Sequence, residues 1–259
     1  MDEAHGAHFG LEREGKSFFP RSAIQLGADL CVQSVHKTLP SLTQTAWLHW
    51  KSKLVSEREV GRRLAVFESS SPSYPLLLSL DSCTELLLSR GEELFSHWGS
   101  CLADFERELA GLQNFSILKG RGGGHFFDRD PGKLLLHCKE REMSGAALSE
   151  ALRERFSIET EMSLGRNCLA MTSPLDPEEA YRRLFDAMKT LDRELSLRER
   201  NIAPPFLKGR ESVFYGSALP LPESALSLGE AAERAHRLIP LRSSLGEISG
   251  EYLYAYPPG

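Results

Sequence analysis

The stretch from residue 76 to residue 109 most narrows what this chain can become. Apolar side chains recur at Leu76, Leu80, Cys83 and Leu87, then at Leu94, Trp98, Leu102, Phe105 and Leu109. That spacing predicts one long helix, or two in tandem broken at Gly91, with a stripe that must be buried against another layer. The stripe reads as core or interface rather than as a cofactor box. Short apolar runs lie on both sides of it: residues 28–34 (ADLCVQS) and 43–50 (TQTAWLHW) before, residues 133–139 (KLLLHCK) after. Each has the length and bounding polar residues of a strand. A sheet covered by helices, an α/β architecture, accommodates both kinds of segment.

Local signals divide the chain further. Ser56-Glu57-Arg58-Glu59 is a capping box, followed by Val60, Leu64 and Phe67 in helical register, and the helix should end near Ser69-Ser70-Ser71-Pro72. Arg121-Gly122-Gly123-Gly124 reads as a connection between domains rather than a phosphate nest, and Asp130-Pro131-Gly132 as a turn. Ser144 can cap a helix carrying Leu148, Leu152 and Phe156, and a strand should end near Leu169-Ala170-Met171. At Asp176-Pro177-Glu178-Glu179 an N-cap, a first-position proline and two early acids start another helix. Beyond Asn201, Ala203-Pro204-Pro205 and Leu219-Pro220-Leu221-Pro222 read as a linker or arm, with a short capped helix after Ser227 and a final turn at Tyr256-Pro257-Pro258-Gly259. The expected division is residues 1–112, a small α/β domain at 113–200, and a linker with an incomplete C-terminal region at 201–259.

Composition excludes several classes of function. At 259 residues, 41% hydrophobic and 26% charged, the chain can bury a sizeable core. Its net charge of -5 is spread along the sequence with no basic stripe, so nucleic acid is not an expected partner. No apolar run reaches the ~18 residues of a membrane span, and the start lacks the apolar core of a signal peptide. Cys31, Cys83, Cys101, Cys138 and Cys168 are odd in number and widely spaced, which suits a reducing compartment. The expectation is a soluble, cytoplasmic protein.

Chemistry concentrates near the start. Ser34-Val35-His36-Lys37 follows an apolar run, and a lysine just past a buried strand is desolvated enough to act as an amine nucleophile and form a Schiff base. Ser34 and His36 are placed to donate to a phosphate. Read alone, Lys37 fits an exposed structural lysine as well. The opening Asp2-Glu3-Ala4-His5 resembles the end of a strand, and it brings a carboxylate and an imidazole. Both are groups that a pyridoxal cofactor needs at its ring nitrogen and ring oxygen.

Three ordered segments carry a family resemblance: D-E-A-H-G-A-H-F-G from Asp2, S-A-I-Q-L-G-A-D-L-C-V-Q-S-V-H-K-T-L-P-S-L-T-Q-T-A-W-L-H from Ser22, and S-S-S-P-S-Y-P-L-L-L-S-L-D ending at Asp81. Together they resemble the latter half of the Orn/Lys/Arg decarboxylases of pyridoxal fold type I. Asp130-Pro131-Gly132-Lys133 and residues 246–259 extend the likeness more thinly. The resemblance implies the latter part of a large domain, a mainly parallel sheet with flanking helices, then a small α/β domain and a C-terminal arm. It implies pyridoxal 5'-phosphate as cofactor, with Lys37 as the Schiff-base lysine, Asp2 at the pyridine nitrogen, His5 by the phenolic oxygen, and Ser34 and His36 at the phosphate. The implied reaction is decarboxylation of lysine, ornithine or arginine to a diamine or agmatine, in a homo-oligomer that is a dimer or higher. Glu247 stands where the family commonly has a basic residue, and the family's earlier half, with its phosphate loop and ring-stacking aromatic residue, is not in the chain. A catalytically incompetent chain acting by subunit association is therefore a second expectation.

Other motifs compete. Residues 2–5 spell D-E-A-H, and Gly10-Leu11-Glu12-Arg13-Glu14-Gly15-Lys16-Ser17 fits the G-x-x-x-x-G-K-[ST] phosphate loop of nucleotide hydrolases. The order is reversed relative to those enzymes, no apolar strand leads in, and the loop interior carries three charges, Glu12, Arg13 and Glu14. His5 and His8 sit at i, i+3 but lack a third clustered ligand, so no metal is expected. His49, His97, His125, His137 and His236 read as surface or core histidines.

Overall fold

The computed structural model describes residues 1–11, 18–118, 128–139, 143–198, 225–235 and 237–249. Strand β1 (Leu30–Ser34) passes directly into a four-residue helix, α1 (Val35–Thr38), and strand β2 (Ala46–Trp50) returns antiparallel to β1, from Leu30 opposite Trp50 to Ser34 opposite Ala46. Helix α1 ends at Leu39 because Pro40 follows, and the residue before proline is pushed out of the helical region. On the other edge of β1, residues 1–4 run parallel to it: Asp2 bridges Val32, Glu3 N–H donates to Val32 O at 2.9 Å, and Ser34 N–H donates to Ala4 O at 3.2 Å. Within the described residues that pairing is the parallel component of the sheet.

Helix α2 (Glu57–Phe67) starts where its capping box predicts, with the Ser56 hydroxyl accepting from Glu59 N–H at 3.2 Å. Its apolar residues are not buried, and Phe67 is 88% exposed, so the periodicity marks an amphipathic face rather than a core contact. Helix α3 (Tyr74–Leu109) is continuous for 36 residues. Gly91 does not break it: a glycine costs about 1 kcal/mol in a helix interior, less than the packing of Leu94, Trp98, Leu102 and Phe105 returns. These residues are buried, while Tyr74, Leu77, Leu78 and Leu88 of the N-terminal half are exposed.

The second sheet is antiparallel throughout. It comprises β3 (Phe115–Ile117), β4 (Lys133–Cys138), β5 (Met162–Leu164) and β6 (Asn167–Met171), in the order β3-β4-β6-β5. The three-residue strands β3 and β5 escape sequence reading because they are too short to show a period. Helix α4 (Gly145–Phe156) packs on this sheet, the end of α3 meets β3, and α5 (Glu178–Arg198) packs against α3 and α4. Leu134, Leu136 and Cys138 of β4 point into the core, so the alternating residues, Lys133 among them, face the other way. Helix α6 (Leu228–Glu233) forms with the full reciprocal capping box of Ser227 and Glu230. One hydrophobic cluster runs from Ala7 and Phe19 through α3 to Leu191 and Leu195. All five cysteines are buried and free. No described helix is long and apolar enough to cross a membrane. The glycine run at 121–124, most of the proline-rich arm, the interior of the phosphate-loop motif and the final turn lie outside the described residues.

Candidate active site

The site is built where β1 meets α1, beside the parallel segment at the start of the chain. Ser34 caps α1 with extended backbone but uses no side-chain bond to do so, leaving its hydroxyl available. His36 Nδ1 lies 2.9 Å from Thr45 O. A carbonyl only accepts, so Nδ1 carries a proton and Nε2 is the outward nitrogen. Thr45 is itself held, its hydroxyl donating to Leu42 O at 2.8 Å with Ser41 Oγ also 2.8 Å away, and its carbonyl accepting from Val35 N–H at 3.0 Å. The loop between α1 and β2 therefore orients the His36 ring.

Lys37 lies in the last turn of α1 and is exposed, with no hydrogen-bond or ion-pair partner for its amine among the described residues. The expectation that a buried strand desolvates it is not met. Strand β1 alternates buried and exposed positions, and nothing described covers the lysine beyond it. Asp2 is exposed as well, with one carboxylate oxygen accepting from Ala4 N–H at 2.9 Å. His5 shares the electrostatic field of this group. Partial burial lowers its pKa first, Lys37 and Lys133 lower it further, and Glu161 and Asp2 oppose them, leaving it below the ordinary histidine value. The ring is therefore neutral near pH 7. Asp2, His5 and Lys37 are brought to one lip of the fold, with Ser34 at the end of β1 and His36 in α1 beside it.

The other members of the opening cluster are structural. The Glu3 carboxylate accepts from Ala23 N–H at 2.9 Å, Cys31 Sγ at 3.2 Å and Gln33 Nε2 at 2.7 Å, so the acid of the D-E-A-H box is spent on tying three segments together. Burial and this carboxylate push the Cys31 thiol up to about 11. His8 is fully buried between Phe9, Phe19 and Trp98, with ring centroids 4.7, 5.4 and 5.0 Å away. His5 and His8 thus face different environments. Sequence reading marked Asp130 and Lys133 as a turn and as part of the family likeness, but assigned them no place in the site. Lys133 Nζ donates to His5 O at 3.3 Å and to Asp130 Oδ2 at 2.9 Å, a contact across 128 residues that no local pattern announces.

The fold defines the class first. The chain superposes on lysine decarboxylase A from Pseudomonas aeruginosa with a TM-score of 0.61 at 18% identity, covering 76% of this chain and 33% of that one. On the Francisella novicida lysine decarboxylase the TM-score is 0.56 at 18% identity, with 65% and 28% covered. The chain shares its α/β fold with these two structures. Residues 1–121 match the major domain of the Orn/Lys/Arg decarboxylase family. Over its whole length it is 30% identical to the arginine decarboxylase of Bacillus subtilis, covering 51% of that protein, and 31% identical to that of Halalkalibacterium halodurans, covering 50%. It spans about half the length of the curated relatives it matches.

Proposed function

We propose that this chain supplies the lysine side of a pyridoxal-phosphate site that decarboxylates a basic amino acid. The observation that carries the reading is the convergence of an unpaired lysine, a carboxylate and a neutral imidazole at one lip, with a free hydroxyl on the strand beside it. This donor set fits the cofactor: Asp2 would hold a proton on the ring nitrogen, His5 would meet the ring oxygen, Ser34 and His36 would meet the phosphate, and Lys37 would carry the aldehyde carbon. Bound pyridoxal phosphate supplies an electron sink for the pair left on the substrate's α-carbon when carbon dioxide departs. The protein's part is binding and electrostatics. Asp2 favours a cationic ring, and His5, neutral near pH 7, adds a hydrogen bond without a competing charge.

The relatives named arginine decarboxylase support arginine as the first substrate to test, with lysine and ornithine as controls. The division at residues 112 and 200 and a homo-oligomeric assembly belong to the same reading. The exposure of Lys37 favours a second one, in which this chain is inactive alone and a second polypeptide surface closes over the lysine to complete the site. Titration of the purified chain with pyridoxal phosphate tests the site. A visible absorption band of lysine-bound cofactor should appear in the wild type and vanish in Lys37→Ala. No band, or an equal band in the variant, sinks the cofactor reading for this chain. Carbon dioxide release from arginine by the chain alone decides between the two readings.

A further inference from the structure

Two residues outside the expected site reach into it from the second sheet. Lys133 opens β4, its side chain only 18% exposed, and spans from the Asp130 carboxylate to the His5 carbonyl. Asp130 is 10% exposed, and its Oδ2 also lies 3.1 Å from Nε2 of His8, a residue three positions beyond His5 and wholly buried. That approach lacks the alignment of a hydrogen bond, and neither ring nitrogen of His8 has another partner among the described residues. The turn that presents the pair is itself held. Gly132 N–H donates to Asp130 Oδ1 at 2.9 Å, Gly132 O accepts from Thr172 N–H and Oγ at 3.0 and 2.9 Å, and Trp98 Nε1 donates to Thr172 Oγ at 2.9 Å. A Cβ at Gly132 would meet Trp98 at 2.6 Å, so the turn sits on the indole that also packs against His8.

We infer that Asp130 and Lys133 are positioning residues: they clamp the His5 segment to the second sheet, so that the ring-side histidine of the cofactor site is placed by the small domain. The inference rests on the reading of His5 as part of that site. A lysine needed only to neutralise Asp130 has no use for a backbone carbonyl across 128 residues. The carbonyl contact fixes the peptide that carries the imidazole. The charge also sits in the field of that ring, together with Lys37 from α1, Glu161 just before β5 and Asp2.

The test is NMR titration of the His5 ring in the full chain without cofactor, for wild type, Lys133→Met and Lys133→Arg. Lys133→Met should move the His5 titration to higher pH, and Lys133→Arg should restore it. If Lys133→Met does not fold, Lys133→Gln replaces it for the charge readout, and the backbone chemical shift of the His5 peptide, which loss of the carbonyl bond moves, is read in whichever variant folds. An unmoved His5 titration in a folded, charge-removed variant overturns the clamp. A failure of the cofactor reading shows up separately, as absence of the lysine-bound absorption band in the wild type while the NMR response to Lys133 persists.

Discussion

His8 and Asp130 set the residue-scale behaviour of the molecule in acid. Burial holds His8 below the ordinary histidine value, outweighing the pull of Asp130. For Asp130 burial works in the opposite direction, but His8 and Lys133 outweigh it and hold the carboxyl below the usual range. We take His8 as neutral near pH 7 and Lys133 as the cation that keeps Asp130 ionised. A histidine with a lowered folded pKa binds fewer protons folded than unfolded, so its stability contribution is complete above about pH 6.5 and is lost as pH falls below that. The depressed Asp130 acts the same way at lower pH, below about 3.8. Chemical denaturation from pH 7.5 down to 5 should therefore show falling stability, and His8→Phe should flatten that slope. A slope unchanged in a folded His8→Phe protein would place the titrating group elsewhere. Lys37, Asp2 and His5 were singled out in sequence by the ordered segments that carry the family resemblance. Asp130 and Lys133 were visible only as a turn and as part of the family likeness, since their contacts with His8 and the His5 carbonyl lie more than a hundred residues away.

At the scale of elements, caps and breakers translated directly into structure. Ser56, Ser144 and Ser227 each accept from the backbone N–H three residues on, at 3.2, 3.1 and 3.3 Å. Such bonds depend on neighbours in sequence alone. Pro40 stops α1 and so leaves Lys37 in its last turn. The close approach of α4 to β6 was not legible. A Cβ at Gly145, the first residue of α4, would lie 1.9 Å from Asn167 O, which is backbone and does not yield. Gly145→Ala should cost stability by about 1–3 kcal/mol or more, the range of an overpacked core, measured by urea denaturation. Gly91→Ala, where nothing lies within 4 Å, should instead stabilise by up to about 1 kcal/mol. If the two substitutions behave alike, the contact between α4 and β6 is misjudged.

Across the whole molecule a single cluster joins the lip that carries Lys37 to the second sheet. Val35 and Leu39 belong to the same buried set as Leu102, Leu148 and Leu191. Truncating a residue at its centre should loosen both sheets together. Leu102→Ala is expected to cost about 2–5 kcal/mol, and hydrogen exchange should show protection falling in β1 as well as in β4 and β6. Loss confined to β4 and β6 would mean that the two sheets unfold independently. By itself the sequence determined the helix starts and stops, most strands and the α/β class, because each depends on short-range periodicity or on side chains a few residues apart. Tertiary structure alone decided that α3 runs unbroken past Gly91, that the apolar face of α2 stays at the surface, that Lys37 is exposed, and that Lys133 holds the His5 backbone. Those outcomes turn on which surfaces meet across the chain, and burial and charge act through space without regard to sequence distance.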